Sequence, residues 1–290
     1  MFIQQIQCQN ILTKSNLPVC DFSVNPYVGC SHACKYCYAS YMKRFTNHTE
    51  PWGTFVDVKF WDKIPNPQKL AGKSIALGSV TDPYLPQEET FGRTRAFLEA
   101  LQDINVNITI LTKSDLVLRD ITLLKSFPNM RVGFSINTLD ESFKADMDKA
   151  PSIQKRLYAM EQLHQNGIRT TCFVAPIFPE ITDVEAIIER VKAYCNLIWL
   201  ENLNLRGDYK YSILQYIAKK HFNLLPLYEE IYLHNNAVYW EILDARMRAF
   251  AKEKNLLYTT NEDDFYQPFS ASPTMVNFFY HEKIKKSAQK

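Results

Sequence analysis

Residues 21–39, DFSVNPYVGCSHACKYCYA, decide how this chain is read. The first half, DFSVNPYVG, has the β-branched and aromatic character of a strand and closes on Gly29. Cys30, Cys34 and Cys37 therefore fall in the loop at the strand's carboxyl end, with the spacing C-x3-C-x2-C. If the strand belongs to an α/β barrel, that end is the catalytic face.

Three thiols at this spacing admit three readings. Offsets of four and seven trace one face of a helix, so the cysteines could be core residues. Against this, Pro26 and Gly29 precede the stretch, and Ser31 and His32 place polar groups inside it. A structural zinc site usually shows C-x2-C pairs and a fourth ligand, which here would have to be His32 or a distant residue. An iron–sulfur cluster held by three thiolates, with one metal position left open, accounts for the pattern best.

Beyond the loop, short apolar runs recur at 22–28, 74–80, 107–112, 131–136, 169–175 and 196–201, most of them followed by amphipathic stretches. Those stretches predict helices over 88–103, 114–127 with Ser114 or Asp115 as cap, 151–167 ending at Gly167, and 182–195 capped by Thr182. Strand alternating with helix implies a parallel sheet with right-handed crossovers, either open or curled into a full or partial barrel. From about residue 212 to 255 the pattern is consecutive helices, broken near Pro226 and Asn235–Asn236. An apolar run, LLYTT, follows, and then an irregular tail rich in aromatic and basic residues.

Composition limits the partners. With 290 residues, 46% of them hydrophobic, the chain can bury a large core. A net charge of +2 permits nucleic acid without indicating it. The N-terminus lacks a signal-peptide pattern and no apolar stretch is long enough to span a bilayer, so a soluble cytoplasmic protein is expected. Seven cysteines, three clustered and four scattered, are unlike a disulfide framework. Cys172 and Cys195 read as buried thiols.

The order C-x3-C-x-aromatic-C, with Tyr36 as the aromatic, resembles the signature of radical S-adenosylmethionine enzymes. Together with SVTDPYLPQEE, LTKSDLVLRD, FSINT and APSIQKRL, it makes most of residues 21 to 205 similar to the spore photoproduct lyase-like branch, and to its small mobile-pair members. The resemblance implies an α/β fold: a partial (β/α)6 barrel over 21–205, an N-terminal extension over 1–20, and a C-terminal helical cap and tail over 206–290. It also implies a [4Fe-4S] cluster on Cys30, Cys34 and Cys37, with S-adenosylmethionine chelating the open iron through its amino and carboxylate groups. Reductive cleavage would give a 5′-deoxyadenosyl radical that abstracts hydrogen from a substrate. The electron donor would be of the flavodoxin or ferredoxin type, and a second protein encoded nearby is a further candidate partner.

Carried onto matching positions, the resemblance places Ser79, Thr81 and Asp82 near the methionine amino group. Lys113 neutralises the cofactor carboxylate, and Ser135 donates to ribose or carboxylate. Arg156 either holds that carboxylate or lies solvated on a helix. Ala175 and Pro176 pass under adenine, whose amino group the Tyr36 backbone reads. Glu201, Asn202 and Asn204 either orient a substrate in the barrel mouth or cap the sixth strand and its turn. Departures from the family matter too. Residues 78–84, GSVTDPY, lack the hydrogen-donating cysteine of photoproduct lyase, so that repair reaction is not expected. No cysteine-rich C-terminal region suggests auxiliary clusters.

Two classes stay open: a radical-generating enzyme, favoured by the array of cofactor contacts, and a non-catalytic iron–sulfur protein with a sensing or structural role. Lys43 and Arg44 beside the cysteine loop, and the basic and aromatic tail (DDFYQPF, NFFYHEK, HEKIKKSAQK), make nucleic acid a candidate substrate alongside peptide.

Overall fold

The run NITILT, residues 107–112, is short, apolar and rich in β-branched residues. In the computed structural model it is a strand, Asn107–Thr112, burying Ile108, Ile110 and Thr112 on one face. The structure describes residues 1–16, 20–259 and 274–279. They form two units: Met1–Cys34, Ala39–Ser135 and Asp148–Thr171 in the first, and Lys35–Tyr38, Ile136–Met147 and the described part of Cys172–Lys290 in the second.

In the first unit, strands Phe22–Val24, Ser74–Leu77, Asn107–Thr112 and Asn129–Ser135 lie side by side and parallel. Leu77 stands beside both Val24 and Ile110, and Thr112 beside Phe134, so successive strands end along one edge. Leu12–Lys14 closes the outer side antiparallel to Phe22–Val24. The crossovers into Asn107–Thr112 and Asn129–Ser135 are helical, and Ile75, Leu77, Ile108, Ile110, Val132 and Phe134 are buried core residues of the sheet.

Three expectations change here. Residues 22–28 are not one strand. Phe22–Val24 belongs to the main sheet, whereas Tyr27–Val28 turns away to pair with Phe55–Phe60 in a small sheet that also contains Phe2–Gln7. Pro26 sits at the corner without an amide to donate, and its carbonyl accepts from the Lys59 amide at 3.0 Å. The N-terminal extension therefore begins as a strand, parallel to Phe55–Phe60. The helix expected over 88–103 is two, Pro86–Phe91 and Arg93–Glu99, separated at Gly92. Ser114 does cap the next segment, its side chain accepting from the Leu116 amide at 3.3 Å.

In the second unit, the later residues of Arg169–Ile177 are followed across the sheet by Leu197–Asn202, Met275–Phe279 and Leu257–Thr259. Met275–Phe279 corrects the expectation of an irregular tail: it is a parallel strand, Leu197 against Met275. The remaining tail residues fall outside those described. Helix Val184–Val191 is capped by Asp183, which accepts from the Ala186 amide at 2.9 Å. Thr182, expected in that role, instead donates to the Asn137 carbonyl at 2.8 Å and accepts from the Phe178 amide at 3.0 Å. Consecutive helices then run Asp208–Lys220, Leu225–Tyr232 and Val238–Glu253. Pro226 lies in the first turn of the middle one, where its missing N–H is harmless.

Candidate cofactor site

At the edge where the parallel strands of the first unit end, one carboxylate organises the rest. Asp82 Oδ1 accepts from the Thr112 hydroxyl at 2.7 Å and the Tyr84 amide at 2.8 Å. Oδ2 meets the Lys113 amide at 2.7 Å and His32 Nε2 at 3.0 Å. A carboxylate offers about four acceptor sites, so these protein donors fill it. Burial alone would raise this carboxyl; His32 and the donors outweigh burial and hold it below its usual range. Asp82 is thus no free partner for the methionine ammonium. Its charge instead fixes the end of strand Asn107–Thr112, and with it the backbone that carries Lys113.

Asn25, just past strand Phe22–Val24, ties in the neighbouring loop. Its amide nitrogen donates to Ser79 Oγ at 2.9 Å, and its oxygen accepts from the amides of Val80 at 3.1 Å and Thr81 at 3.4 Å. Thr81 is 3% exposed, and its hydroxyl finds no partner among the described residues.

The cysteine loop starts from Gly29, whose φ of +80° an L side chain rarely adopts and where a Cβ would come 2.3 Å from the Phe55 carbonyl oxygen. Cys30 is buried, and its carbonyl accepts from the Ala33 amide at 3.1 Å. His32, 2% exposed, reaches Asp82 through its ring and accepts the Lys149 amide on its carbonyl at 2.7 Å. Gly78 stands before Ser79 with φ +94°, where a Cβ would come 2.4 Å from the Leu111 carbonyl oxygen.

Arg156 corrects both sequence readings. It is fully buried: Nε donates to the Pro151 carbonyl at 2.9 Å, Nη1 to the Ser135 carbonyl at 3.1 Å, and Nη2 to Asp148 at 2.9 Å. It neither faces solvent nor presents these donors to a ligand; it anchors the end of strand Asn129–Ser135.

A second buried centre in this unit lies on the helical side. Glu88 and Asp120, whose side chains are wholly buried, share Arg119, with Nη2 at 2.8 Å from the first and 2.9 Å from the second. Arg95 pairs with Asp120 at 2.9 Å, and the hydroxyls of Tyr27 and Tyr84 donate to Glu88 and Asp120 respectively. Burial, then the charge of Glu88, pushes the Tyr27 phenol upward.

In the second unit, the Lys35 amide donates to the Met147 carbonyl at 2.9 Å and the Lys35 ammonium lies 5.6 Å from the centre of the Tyr216 ring. The buried Tyr36 ring meets Phe178 edge-on at 5.6 Å. Ala175 and Pro176, half-buried near the end of Arg169–Ile177, are joined by a cis peptide. Glu201 and the buried Asn202 end Leu197–Asn202. Asn204 serves the following turn: its side chain accepts from Arg206 Nε at 3.1 Å and its carbonyl from the Tyr209 hydroxyl at 2.7 Å. Burial raises the Tyr209 phenol against the pull of Arg206, with Cys37 adding to the rise. Cys172 and Cys195 are buried, as expected, with the Cys172 amide donating to Cys195 Sγ at 3.1 Å. Burial pushes the Cys195 thiol up to about 12.

Sequence reading missed Asn25, Thr112, Asp148 and Tyr209, and weighed His32 only as a metal ligand. The signal for Asn25 was faint: a polar residue before proline inside an apolar run.

The geometry fits the cofactors. None of the seven cysteines is tied up in a disulfide, and Thr81 brings a buried hydroxyl without a partner among the described residues. Among the described residues no three His, Cys, Asp or Glu side chains converge on a single ion.

Comparison with known proteins bears this out at the level of class. Residues 24–191 match the model of the radical SAM superfamily, and the chain belongs to that superfamily of enzymes. A protein of Methanocaldococcus jannaschii is 38% identical over 213 residues, covering 72% of this chain and 81% of that one. The radical SAM Nα-GlyT isomerase of Pseudomonas phage M6 is 28% identical over 178 residues, 59% of this chain but only 37% of the phage protein. Among solved structures, spore photoproduct lyase complexed with dinucleoside spore photoproduct superposes with a TM-score of 0.54 over 78% of each chain at 14% identity, a likeness of fold. The fold is therefore a partial α/β barrel like that of spore photoproduct lyase, and the superfamily's cofactors are a [4Fe-4S] cluster and S-adenosylmethionine. Among the described residues no helix is long and apolar enough to cross a membrane.

Proposed function

We propose that Cys30, Cys34 and Cys37 hold the cluster, and that Tyr36, Ser79, Thr81, Lys113, Ser135, Ala175 and Pro176 bind S-adenosylmethionine, within a catalytic part spanning 21–205 and capped by 206–290. The observation that carries this is the loop itself: thiols outside any disulfide at C-x3-C-x2-C spacing, pinned through His32 to Asp82, which in turn fixes the Lys113 backbone. When bound, the cluster would supply the electron for reductive cleavage of S-adenosylmethionine, and the chemistry so provided would be hydrogen-atom abstraction from substrate. The protein's part is placement. Lys113 brings a positive charge to the cofactor carboxylate, and Thr81 brings a hydroxyl to the methionine end. Asp82 and Arg156 act through the backbone they hold, as positioning residues. Glu201 and Asn202 orient the substrate, Asn204 being committed to its turn. The electron comes from a flavodoxin- or ferredoxin-type donor in the cytoplasm, where thiols stay reduced.

Anaerobic reconstitution tests the reading. The wild-type chain should take up about four irons and four sulfides. With dithionite it should convert S-adenosylmethionine to 5′-deoxyadenosine and methionine. Replacing Cys30, Cys34 and Cys37 together with Ala should abolish both. Retention of iron and sulfide by the triple variant, or absence of 5′-deoxyadenosine from the loaded wild type, sinks the proposal.

A further inference from the structure

The short helix Tyr38–Phe45 begins directly after Cys37. Its residues 39–45, all in the first unit, bury Ala39 and leave Tyr41 and Phe45 46% and 66% exposed. Arg44 lies against both rings, its guanidinium carbon 5.3 Å from the Tyr41 centroid and 4.6 Å from that of Phe45. Lys43 donates to the Thr49 carbonyl at 3.0 Å. Neither cation forms an ion pair among the described residues, and the nearby acids Glu50 and Asp57 are engaged with His48.

A guanidinium lying on aromatic rings keeps its edge N–H groups directed outward, where they suit a phosphate, and the rings keep a face or edge open to a planar partner. Single-stranded nucleic acid offers both features in alternation, a stackable base and an anionic phosphate. An acidic protein would use the charges but leave the rings without a matching partner. We propose that residues 39–45 are a contact surface for single-stranded nucleic acid, with a base stacked on Tyr41 or Phe45 and flanking phosphates on Arg44 and Lys43. The inference rests on the radical-enzyme reading only in taking the bound strand as substrate. Binding itself requires neither S-adenosylmethionine nor turnover.

The test is fluorescence anisotropy of the iron-loaded chain with labelled oligodeoxythymidine and oligouridine of about 20 nucleotides, across a salt series. Tyr41→Ala combined with Phe45→Ala should weaken binding roughly tenfold or more, while Tyr41→Trp should retain it. Lys43→Ala and Arg44→Ala should each flatten the slope of log affinity against log salt by about 0.7. Lys125→Ala, an exposed lysine outside this helix, should change neither. Circular dichroism and iron content establish that each variant is folded. Should the double alanine variant not fold, Tyr41→Trp, the charge variants and the wild-type salt slope still decide. The proposal is overturned if the wild type binds neither oligonucleotide at low salt, if its affinity ignores salt, or if the folded Tyr41→Ala/Phe45→Ala, Lys43→Ala and Arg44→Ala variants bind like wild type. It is equally overturned if the variants lose only reduction by flavodoxin while binding is unchanged, which would assign the surface to a protein reductant. Loss of 5′-deoxyadenosine production with binding intact would count against the enzymatic reading and leave this surface standing.

Discussion

Two buried carboxylate centres of the first unit are built differently. Around Glu88 and Asp120, two acids meet Arg119 and Arg95, and the charges close on one another. Around Asp82, one acid is met by two backbone amides, a hydroxyl and an imidazole, so its charge is held by dipoles and a single titratable ring. The first arrangement locks helices and loops together; the second aims strand ends. A fold can therefore bury acids for strength in one place and for placement in another, and the partners tell which.

The largest effect should come from the ionic centre. Arg119→Met leaves Glu88 and Asp120 buried with a partner gone, and urea unfolding should show a loss of about 3 kcal/mol. S-adenosylmethionine affinity of the iron-loaded variant should hold; a fall in affinity with stability intact would erase the distinction between the centres. Next comes Lys113→Ala, which should weaken cofactor binding by about 1.5–3 kcal/mol in calorimetry while barely moving stability. Unchanged affinity would remove Lys113 from the site.

The smallest effect is Asp82→Asn, about 1–2 kcal/mol of stability at neutral pH, because an amide cannot accept all four donors. Its pH dependence sharpens the contrast. The Asp82 carboxyl lies below its ordinary value of 3.8 in the folded protein, so its stabilisation is fully present above that value and fades as pH falls through the folded-state value. Acid titration of unfolding should therefore lose a component below about pH 4 in the Asn variant relative to wild type. Identical acid limbs would show that this charge is not what holds the strand ends.

What the sequence disclosed follows the range of the physics. Strands such as Asn107–Thr112 were legible because a short apolar, β-branched run is written in neighbouring residues. The cysteine loop was legible because ligand spacing is local. Met275–Phe279 was not, since its partner Leu197–Asn202 lies far away along the chain and its own surroundings read as an irregular tail of aromatic and basic residues. Phe55–Phe60 went unseen for the same reason, its two neighbours being Phe2–Gln7 and the displaced Tyr27–Val28. Asp82 could be named, yet only the fold brings to it the His32 ring and the Thr112–Lys113 pair, which join the local Tyr84 amide. Arg156 could be named too, and its meaning changed once Asp148 and the Ser135 carbonyl stood beside it.

The backbone at Gly29 and Gly78 carries a warning for anyone scanning this protein by saturation mutagenesis. Each residue abuts the proposed chemistry, one before the first cysteine and one before Ser79, and each would drive a methyl into a carbonyl oxygen if replaced even by Ala. Both should rank among the least tolerant positions in an activity screen. Neither has a side chain to offer a reaction, so an intolerance map drawn around this site will outline the room its backbone lacks as faithfully as the groups its chemistry needs.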